Sequence, residues 1–309
     1  MTRARIVRRQ GFSVYELRSD ALVVSVIPAL GAKIVGVESR RTRRQWMWHP
    51  AGRLRLFRNR LGDRFEASTL AGADECLPTV VACRLGRRAI PDHGEAWSAR
   101  WAVDRNAWAR GELRTSLTLP LSRLHIERTL TLDGRRARLS YAISNRGVQR
   151  QAFLWAFHPL FTMEPGDRLA IRGLSTAFRL EKVHGLGRVR AGVWHWPEPQ
   201  TGVRLDRLDL GRDGSYVKLF AQRSGRGRVS MTLRKPGEAL SVGFDPREIP
   251  VLGLWISRGG WRGHEQLAIE PTNAAADSLL TLVKQGKAEW LEAGATRPFS
   301  LELALTFGR

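Results

Sequence analysis

A carboxylate near the C-terminus stands in a context that suits acid–base chemistry. In LAIEPT (residues 267–272), Leu267 and Ile269 point to one face of a predicted strand, while Glu270 points to the other. Pro271 ends the strand directly after the carboxylate. Burial of a Glu is costly unless the residue is paired or functional, so Glu270 is either a general base or an exposed residue at a strand end.

Two histidines also lie where they could transfer protons or bind a sugar. His158 lies in FLWAFHPLF (residues 153–161), an apolar run that could hold an imidazole with a pKa near neutral. His93 lies in PDHGEAW (residues 91–97), where the following glycine allows a sharp turn and the nearby aromatic rings could stack on a sugar. The alternatives are a structural core histidine and an ordinary loop histidine.

Further candidates for substrate binding flank these residues. Asp74 and Glu75 form an acidic pair shortly after Gly72, a pattern that also fits an ordinary turn. Trp255 and Trp261 add aromatic surface near Glu270 in sequence. The G-x-S-x-G, P-loop, Rossmann, CxxC and HExxH patterns are all missing from the sequence, which therefore predicts neither a nucleotide cofactor nor a metal.

Strands must position these residues, because apolar residues alternate with polar ones along most of the chain. The pattern predicts a hairpin over residues 122–144, with Arg128 interrupting its apolar face, and a final strand over 301–307. Two earlier strands flank the turn at residues 29–31, and residues 273–286 could hold one short helix or turn. The sequence therefore predicts an all-β fold, a large antiparallel β-sandwich in a single domain over residues 1–309, with a closed barrel as the alternative.

The formal net charge of +22 raises the question of a polyanionic partner. Residues 1–60 hold 14 Lys and Arg against 3 acids. Almost all of these cations are Arg, as a GC-rich genome would produce on any solvated surface, so nucleic-acid binding is the less favoured interpretation.

Compartment and membrane association follow from composition. No apolar run is long enough to span a membrane, and the basic N-terminal segment lacks the apolar core of a signal peptide. Cys76 and Cys83 are expected to be free thiols in a reducing environment. The sequence predicts a cytoplasmic protein.

Taken in order, the motifs resemble those of the galactose mutarotase-like superfamily, which includes the aldose 1-epimerases. The similar segments cover nearly the whole chain, and they are VSVIPALGAKIVGVES, AGADECLPTV, DHGEAWSARW, FHPLF, LAIEPTNAAADSL and PFSLELALTF. The resemblance implies a galactose mutarotase-like sandwich and a cofactor-free isomerase that interconverts sugar anomers. It also implies that Glu270 is the base, that His158 is the acid and that His93 binds the substrate.

Several positions depart from the pattern of the aldose 1-epimerases. Phe157 stands where the family usually has an asparagine, and the substrate-binding arginine could be Arg60 or Arg64, of which Arg64 is retained as the candidate. Asp74 and Glu75 stand where the sugar-phosphate members carry an arginine, which favours a free aldose over a sugar phosphate. Asp277 is the candidate for the family's additional substrate-binding aspartate. These departures keep open a second hypothesis, a carbohydrate-binding or sensing protein that has lost catalysis.

Overall fold

The structure, a computed structural model, describes most of the chain. The described ranges are residues 2–51, 54–187, 189–199, 202–208, 213–223 and 227–308. Strands dominate these ranges, as the alternating pattern predicted.

Twenty-three strands are present in the described residues. The first twelve are β1 (Arg3–Arg9), β2 (Phe12–Arg18), β3 (Leu22–Ile27), β4 (Lys33–Ser39), β5 (Ala73–Cys76), β6 (Cys83–Leu85), β7 (Arg88–Ile90), β8 (Ala102–Val103), β9 (Leu113–Thr118), β10 (Leu124–Asp133), β11 (Arg136–Asn145) and β12 (Gln151–Phe153). The others are β13 (Ala156–Phe161), β14 (Arg168–Arg172), β15 (Leu174–His184), β16 (Gly192–His195), β17 (Ser215–Arg223), β18 (Val229–Lys235), β19 (Glu238–Phe244), β20 (Val251–Trp261), β21 (His264–Thr272), β22 (Glu289–Leu291) and β23 (Thr296–Phe307).

Helices are short in the part of the chain that the structure describes. A 3-10 turn covers Phe65–Ala67, and α1 covers Arg105–Ala109, where the Asp104 side chain accepts hydrogen bonds from the first backbone N–H groups. Of the short helix or turn expected within residues 273–286, the structure has a helix, α2 (Leu279–Lys284), which is capped by Ser278.

Two large open antiparallel sheets build the molecule. The larger sheet has eleven strands in the order β1-β2-β3-β4-β5-β13-β21-β20-β17-β15-β16. The smaller has eight in the order β14-β18-β19-β23-β11-β10-β9-β8, and two further sheets of two strands each pair β12 with β22 and β6 with β7. The predicted sandwich is confirmed, and the closed-barrel alternative is wrong.

The core lies between the inner faces of the two large sheets. Val24 and Leu254 of the larger sheet and Ile126 and Leu303 of the smaller one belong to one buried hydrophobic cluster. The predicted hairpin is confirmed by β10 and β11, which pair from Leu124–Asn145 to Asp133–Arg136. Its apolar face is buried because alternation directs every second side chain into this core.

Two further findings bear on the expectations from composition. Among the described residues, no helix has the length and apolar character needed to cross a membrane. Cys76 is buried and Cys83 is partly buried, and neither forms a disulfide.

Candidate active site

Three neighbouring strands in the middle of the larger sheet bring the predicted catalytic pair together. His158 of β13 lies opposite Asp74 of β5. The register of β13 with β21 places Glu270 on its other side, because Ala156 pairs with Thr272 and Leu160 pairs with Ala268. The carboxylate and the imidazole, which are 112 positions apart in the sequence, are therefore side by side on one face of the sheet.

Glu270 is almost completely buried, with 1% of its surface exposed. Its Oε2 accepts a hydrogen bond from Nζ of Lys218. Its Oε1 lies 3.7 Å from Nε2 of His158 and has no hydrogen-bond partner among the described residues. One carboxylate oxygen is thus held in place, and the other is available to accept a proton beside an imidazole.

Lys218 lies two strands away from Glu270 and reaches it because the strand between them carries a glycine. Gly253 of β20 pairs directly with Glu270. A Cβ atom at this position would lie 3.2 Å from Cβ and 3.3 Å from Oε2 of Glu270, so a side chain there would crowd the carboxylate. The glycine leaves room for the ammonium group of Lys218 to approach from β17.

An alternating series of charges continues from Lys218 towards solvent. Its Nζ lies 3.4 Å from Oδ1 of Asp277, and Nζ of half-exposed Lys182 lies 3.3 Å from Oδ2 of the same residue. Burial alone would lower the pKa of Lys218, but the Asp277 and Glu270 carboxylates outweigh that effect and raise it well above its ordinary value. Burial alone would raise the pKa of Asp277, but Lys218 and Lys182 lower it. Lys218 is therefore a permanent cation and Asp277 a permanent anion near neutral pH.

The two histidines and a phenylalanine pack together above the carboxylate. The His93 ring stacks on Phe65 at a centroid distance of 3.6 Å, and its centroid lies 5.4 Å from that of His158. His93 adopts a positive φ of 56° directly before Gly94, which forms the sharp turn expected from the sequence. Nδ1 of His93 lies 3.0 Å from Oδ2 of Asp92, without the alignment of a hydrogen bond.

Burial sets the protonation of His158. Removal from water lowers the pKa of its imidazole below 6.5, while the Glu270 carboxylate acts in the opposite direction with a smaller effect. His158 is therefore mainly neutral at pH 7 in the free protein, and its Nδ1 has no hydrogen-bond partner among the described residues.

These side chains line a cavity of about 160 Å³ with a polar end and an apolar wall. Trp255 and Trp261 meet edge to face at 6.5 Å and form part of that wall. The lining residues are Phe65, Leu70, Val80, Val81, His93, His158, Leu160, Lys182, Lys218, Trp255, Trp261, Gln266, Glu270 and Asp277. A polar end beside aromatic rings can bind a small polar molecule that has one apolar face.

Six of the residues singled out from the sequence thus converge on one cavity. They are His93, His158, Trp255, Trp261, Glu270 and Asp277. Among the lining residues that were not predicted, the buried polar ones are Lys218 and Gln266. Each is a polar residue on the cavity face of a strand whose other face is apolar, and that was the available signal.

Three predicted substrate-binding residues do not line the cavity. Glu75 lies in the core, where its carboxylate accepts hydrogen bonds from Arg128, Tyr141 and Trp155. Because these neighbours occupy both of its oxygens, Glu75 has a structural position.

Asp74 and Arg64 lie outside the cavity for different reasons. Asp74 is buried and accepts a hydrogen bond from Lys33, which neutralises its charge within the sheet. The side chain of Arg64 is 76% exposed and pairs with Glu66. A surface arginine with a local acidic partner is not positioned to hold a substrate in this cavity.

Among the residues that the structure describes, no cluster of His, Cys, Asp and Glu has the arrangement of a metal site. Acid–base chemistry by the side chains themselves is the chemistry that this arrangement supports.

Sequence comparisons and structure comparisons give different results. No protein-family model matches the chain, and no curated protein matches it. Solved structures do match along nearly its full length.

One similar structure is a galactose mutarotase-like protein from Clostridium acetobutylicum, with a TM-score of 0.70, 11% identity and coverage of 99% of both chains. Another is a galactose mutarotase-like protein from Lactobacillus casei, with a TM-score of 0.66, 18% identity, and coverage of 95% of this chain and 100% of that one. A third, from Escherichia coli, is provisionally named an aldose 1-epimerase; its TM-score is 0.69 at 16% identity, with coverage of 96% and 100%. The chain therefore has the galactose mutarotase-like fold.

Proposed function

We propose that this protein is a sugar mutarotase of the aldose 1-epimerase type, an isomerase that interconverts the anomers of a free aldose without a cofactor. The observation that carries the proposal is the pair formed by Glu270 and His158, whose Oε1 and Nε2 atoms lie 3.7 Å apart in the wall of one cavity. Anomer exchange needs one group that takes a proton from the anomeric hydroxyl and another that gives a proton to the ring oxygen.

The two groups can divide these roles. Oε1 of Glu270 accepts the proton of the anomeric hydroxyl while protonated His158 donates its proton to the ring oxygen. The bond between the anomeric carbon and the ring oxygen breaks, and the open-chain aldehyde forms. After rotation about C1–C2, His158 recovers its proton from the closing hydroxyl and Glu270 returns its proton to the new anomeric oxygen. The pair ends with the one proton with which it began.

The charges around the cavity support a neutral substrate. Lys218 pairs with Glu270 and Asp277, and Lys182 pairs with Asp277. Since the two cations and two carboxylates balance, the lining offers no excess positive charge to attract a phosphate. A free aldose fits this electrostatic pattern better than a sugar phosphate.

A catalytically silent sugar-binding protein is the second candidate, and one contact favours it. Lys218 already donates a charge-assisted hydrogen bond to Oε2 of Glu270, which engages half of the carboxylate in an ion pair. A carboxylate with this structural partner fits a cavity that binds sugars without exchanging their anomers.

The basic N-terminal region carries less free charge than its composition implies. Arg5, Arg9 and Arg18 all pair with the buried carboxylate of Glu16. Arg44 pairs with Glu238 in the smaller sheet. These contacts give part of the arginine cluster a structural role, so polyanion binding is the least supported of the three hypotheses.

Exchange spectroscopy by NMR tests the proposal against the silent alternative. The exchange rate between the α and β anomers of a panel of aldoses is measured with and without the wild-type protein, at a pH where spontaneous exchange is slow. We expect acceleration for at least one aldose. Binding of a sugar without acceleration would reject the mutarotase and leave the binding protein.

The pH dependence of the reaction follows from the lowered pKa of His158. The active pair must carry one proton, and burial lowers the pKa of His158 below 6.5, so this form becomes scarcer as the pH rises above that region. We therefore expect kcat/KM to fall between pH 6 and pH 8. The falling limb should coincide with the titration of the His158 ring measured by NMR, and a flat profile over this range would contradict a proton donor at His158.

A further inference from the structure

Gln266 is a buried polar residue in the cavity wall to which the proposed reaction gives no role. Only 2% of its surface is exposed, and its Oε1 has no hydrogen-bond partner among the described residues. A buried amide oxygen without a partner costs free energy, because its hydrogen bonds to water have been lost without replacement. Such a cost is expected where a ligand completes the bond.

The described neighbours of Gln266 do not donate a hydrogen bond to its Oε1. The residue paired with it on β20 is Ser257, whose hydroxyl donates to the carbonyl of His264 and accepts from the backbone N–H of Trp261. Ser257 is thus engaged in the turn that joins β20 to β21. The other neighbours of Gln266 in the cavity wall include the apolar side chains of Leu160 and Trp255.

The separation of Gln266 from Glu270 matches the length of one sugar ring. The two residues lie four positions apart on the same face of β21, which corresponds to roughly 13 Å along a strand. With a hydrogen bond of about 2.8 Å to each side chain, a backbone separation of this size leaves room on the order of one pyranose ring with its hydroxyl groups. Leu160 and Trp255 both pair with Ala268, midway between the two residues, so the wall there is apolar, as the C–H face of such a ring requires.

We propose that Gln266 determines substrate specificity by binding the hydroxyl group at C4, the ring carbon opposite the anomeric carbon. This inference rests on the proposed function, because the orientation of the sugar is fixed by an anomeric hydroxyl at Glu270. A site built to bond a hydroxyl rejects an analogue that lacks it, since the buried amide then stays without a partner. The amide can also distinguish the two C4 epimers, whose hydroxyl groups point in different directions.

The test compares a sugar that binds with its deoxy analogues in two protein variants. Gln266→Met keeps the length of the side chain and removes its polar atoms. Gln151→Met is the matched control, because it makes the same substitution at a partly buried glutamine that does not line the cavity. Affinities for glucose, galactose, and the 4-deoxy and 6-deoxy analogues of the epimer that binds more tightly are measured by ligand-observed NMR, which does not require catalysis.

We expect the wild type and Gln151→Met to bind the parent sugar about tenfold or more tightly than its 4-deoxy analogue. In Gln266→Met the ratio of the affinity for the parent sugar to that for its 4-deoxy analogue should fall to within about twofold, while the affinity for the 4-deoxy sugar is retained. The thermal stability of Gln266→Met should equal or exceed that of the wild type, because an unpartnered buried amide is removed. A destabilised variant whose ratio is unchanged would show a structural role and overturn the proposal.

The remaining outcomes distinguish the proposed role of Gln266 from the proposed mutarotase activity. A ratio that changes for the 6-deoxy analogue instead of the 4-deoxy analogue overturns the assignment to C4. Sugar binding with a Gln266-dependent ratio but without anomer exchange supports Gln266 and rejects only the catalysis. If none of the sugars binds to the wild type, the specificity proposal is overturned together with its premise of a sugar site.

Discussion

Replacement of Glu270 with Gln is expected to lower the catalysed rate of anomer exchange by about 10²–10⁴-fold, the range that one general acid–base group contributes. The amide has nearly the same shape but cannot take up the proton of an anomeric hydroxyl. Its oxygen can still accept the hydrogen bond that Lys218 now donates to Oε2. We therefore expect the affinity for sugars to change much less than the rate.

Glu16→Gln is the matched control for this experiment. Glu16 is also 1% exposed and lies on the same sheet, but it pairs with surface arginines and does not line the cavity. The control should exchange anomers at the wild-type rate. If Glu270→Gln also keeps that rate while it binds sugar normally, Glu270 is not the base.

The strands could be predicted from the sequence because their signal is local. Alternation over residues 122–144 was sufficient to define the hairpin of β10 and β11. Neighbours that are distant in the chain leave no such pattern. The order β5-β13-β21 places His158 between Asp74 and Glu270, and it depends on packing among segments more than 80 residues apart.

The sequence around Lys218 indicated that this lysine is buried, but it did not identify the partner of its charge. The chain has only six lysines against 45 arginines, and Lys218 lies within a strand whose neighbours Val217 and Leu219 are buried. A charged residue in such a strand indicates a buried partner. The identity of that partner depends on Gly253 in the intervening strand, and the adjacency of those strands is not a local property.

For the acidic pair Asp74-Glu75, the alternation of side chains along a strand already argues against the prediction that both residues bind the substrate. Successive side chains of a strand point to opposite faces, so both carboxylates could not face one cavity once the segment formed a strand. In β5, Asp74 contacts Lys33 and Glu75 enters the core to meet Arg128. Arg128, which interrupts the apolar face of the hairpin, thus forms a buried ion pair with Glu75.

Replacement of Arg128 with Met is expected to lower the free energy of unfolding by about 3–5 kcal/mol at pH 7.5, the cost of leaving one partner of a buried ion pair alone. Arg128 and Glu75 are 1% and 0% exposed, so water cannot take the place of the lost guanidinium. Urea unfolding measures the change. A loss below 1 kcal/mol would mean that Glu75 does not need Arg128 as a partner.

The pH dependence of this loss identifies its cause. Burial raises the pKa of Glu75 above 4.5, even though Arg128 is the largest influence that lowers it, so removal of Arg128 should raise that pKa further. A folded state with a raised carboxyl pKa keeps a proton that the unfolded chain releases, so its stability falls as the pH rises above 4.5. The deficit of Arg128→Met relative to the wild type should therefore be smaller at pH 5 than at pH 7.5. The double variant Arg128→Met/Glu75→Gln should recover much of the stability, because a neutral amide can still bond to Tyr141 and Trp155 without a buried charge. Its deficit should also be the same at both pH values. If the deficit of the single variant Arg128→Met is the same at both pH values, the loss comes instead from the packing of the Arg128 side chain.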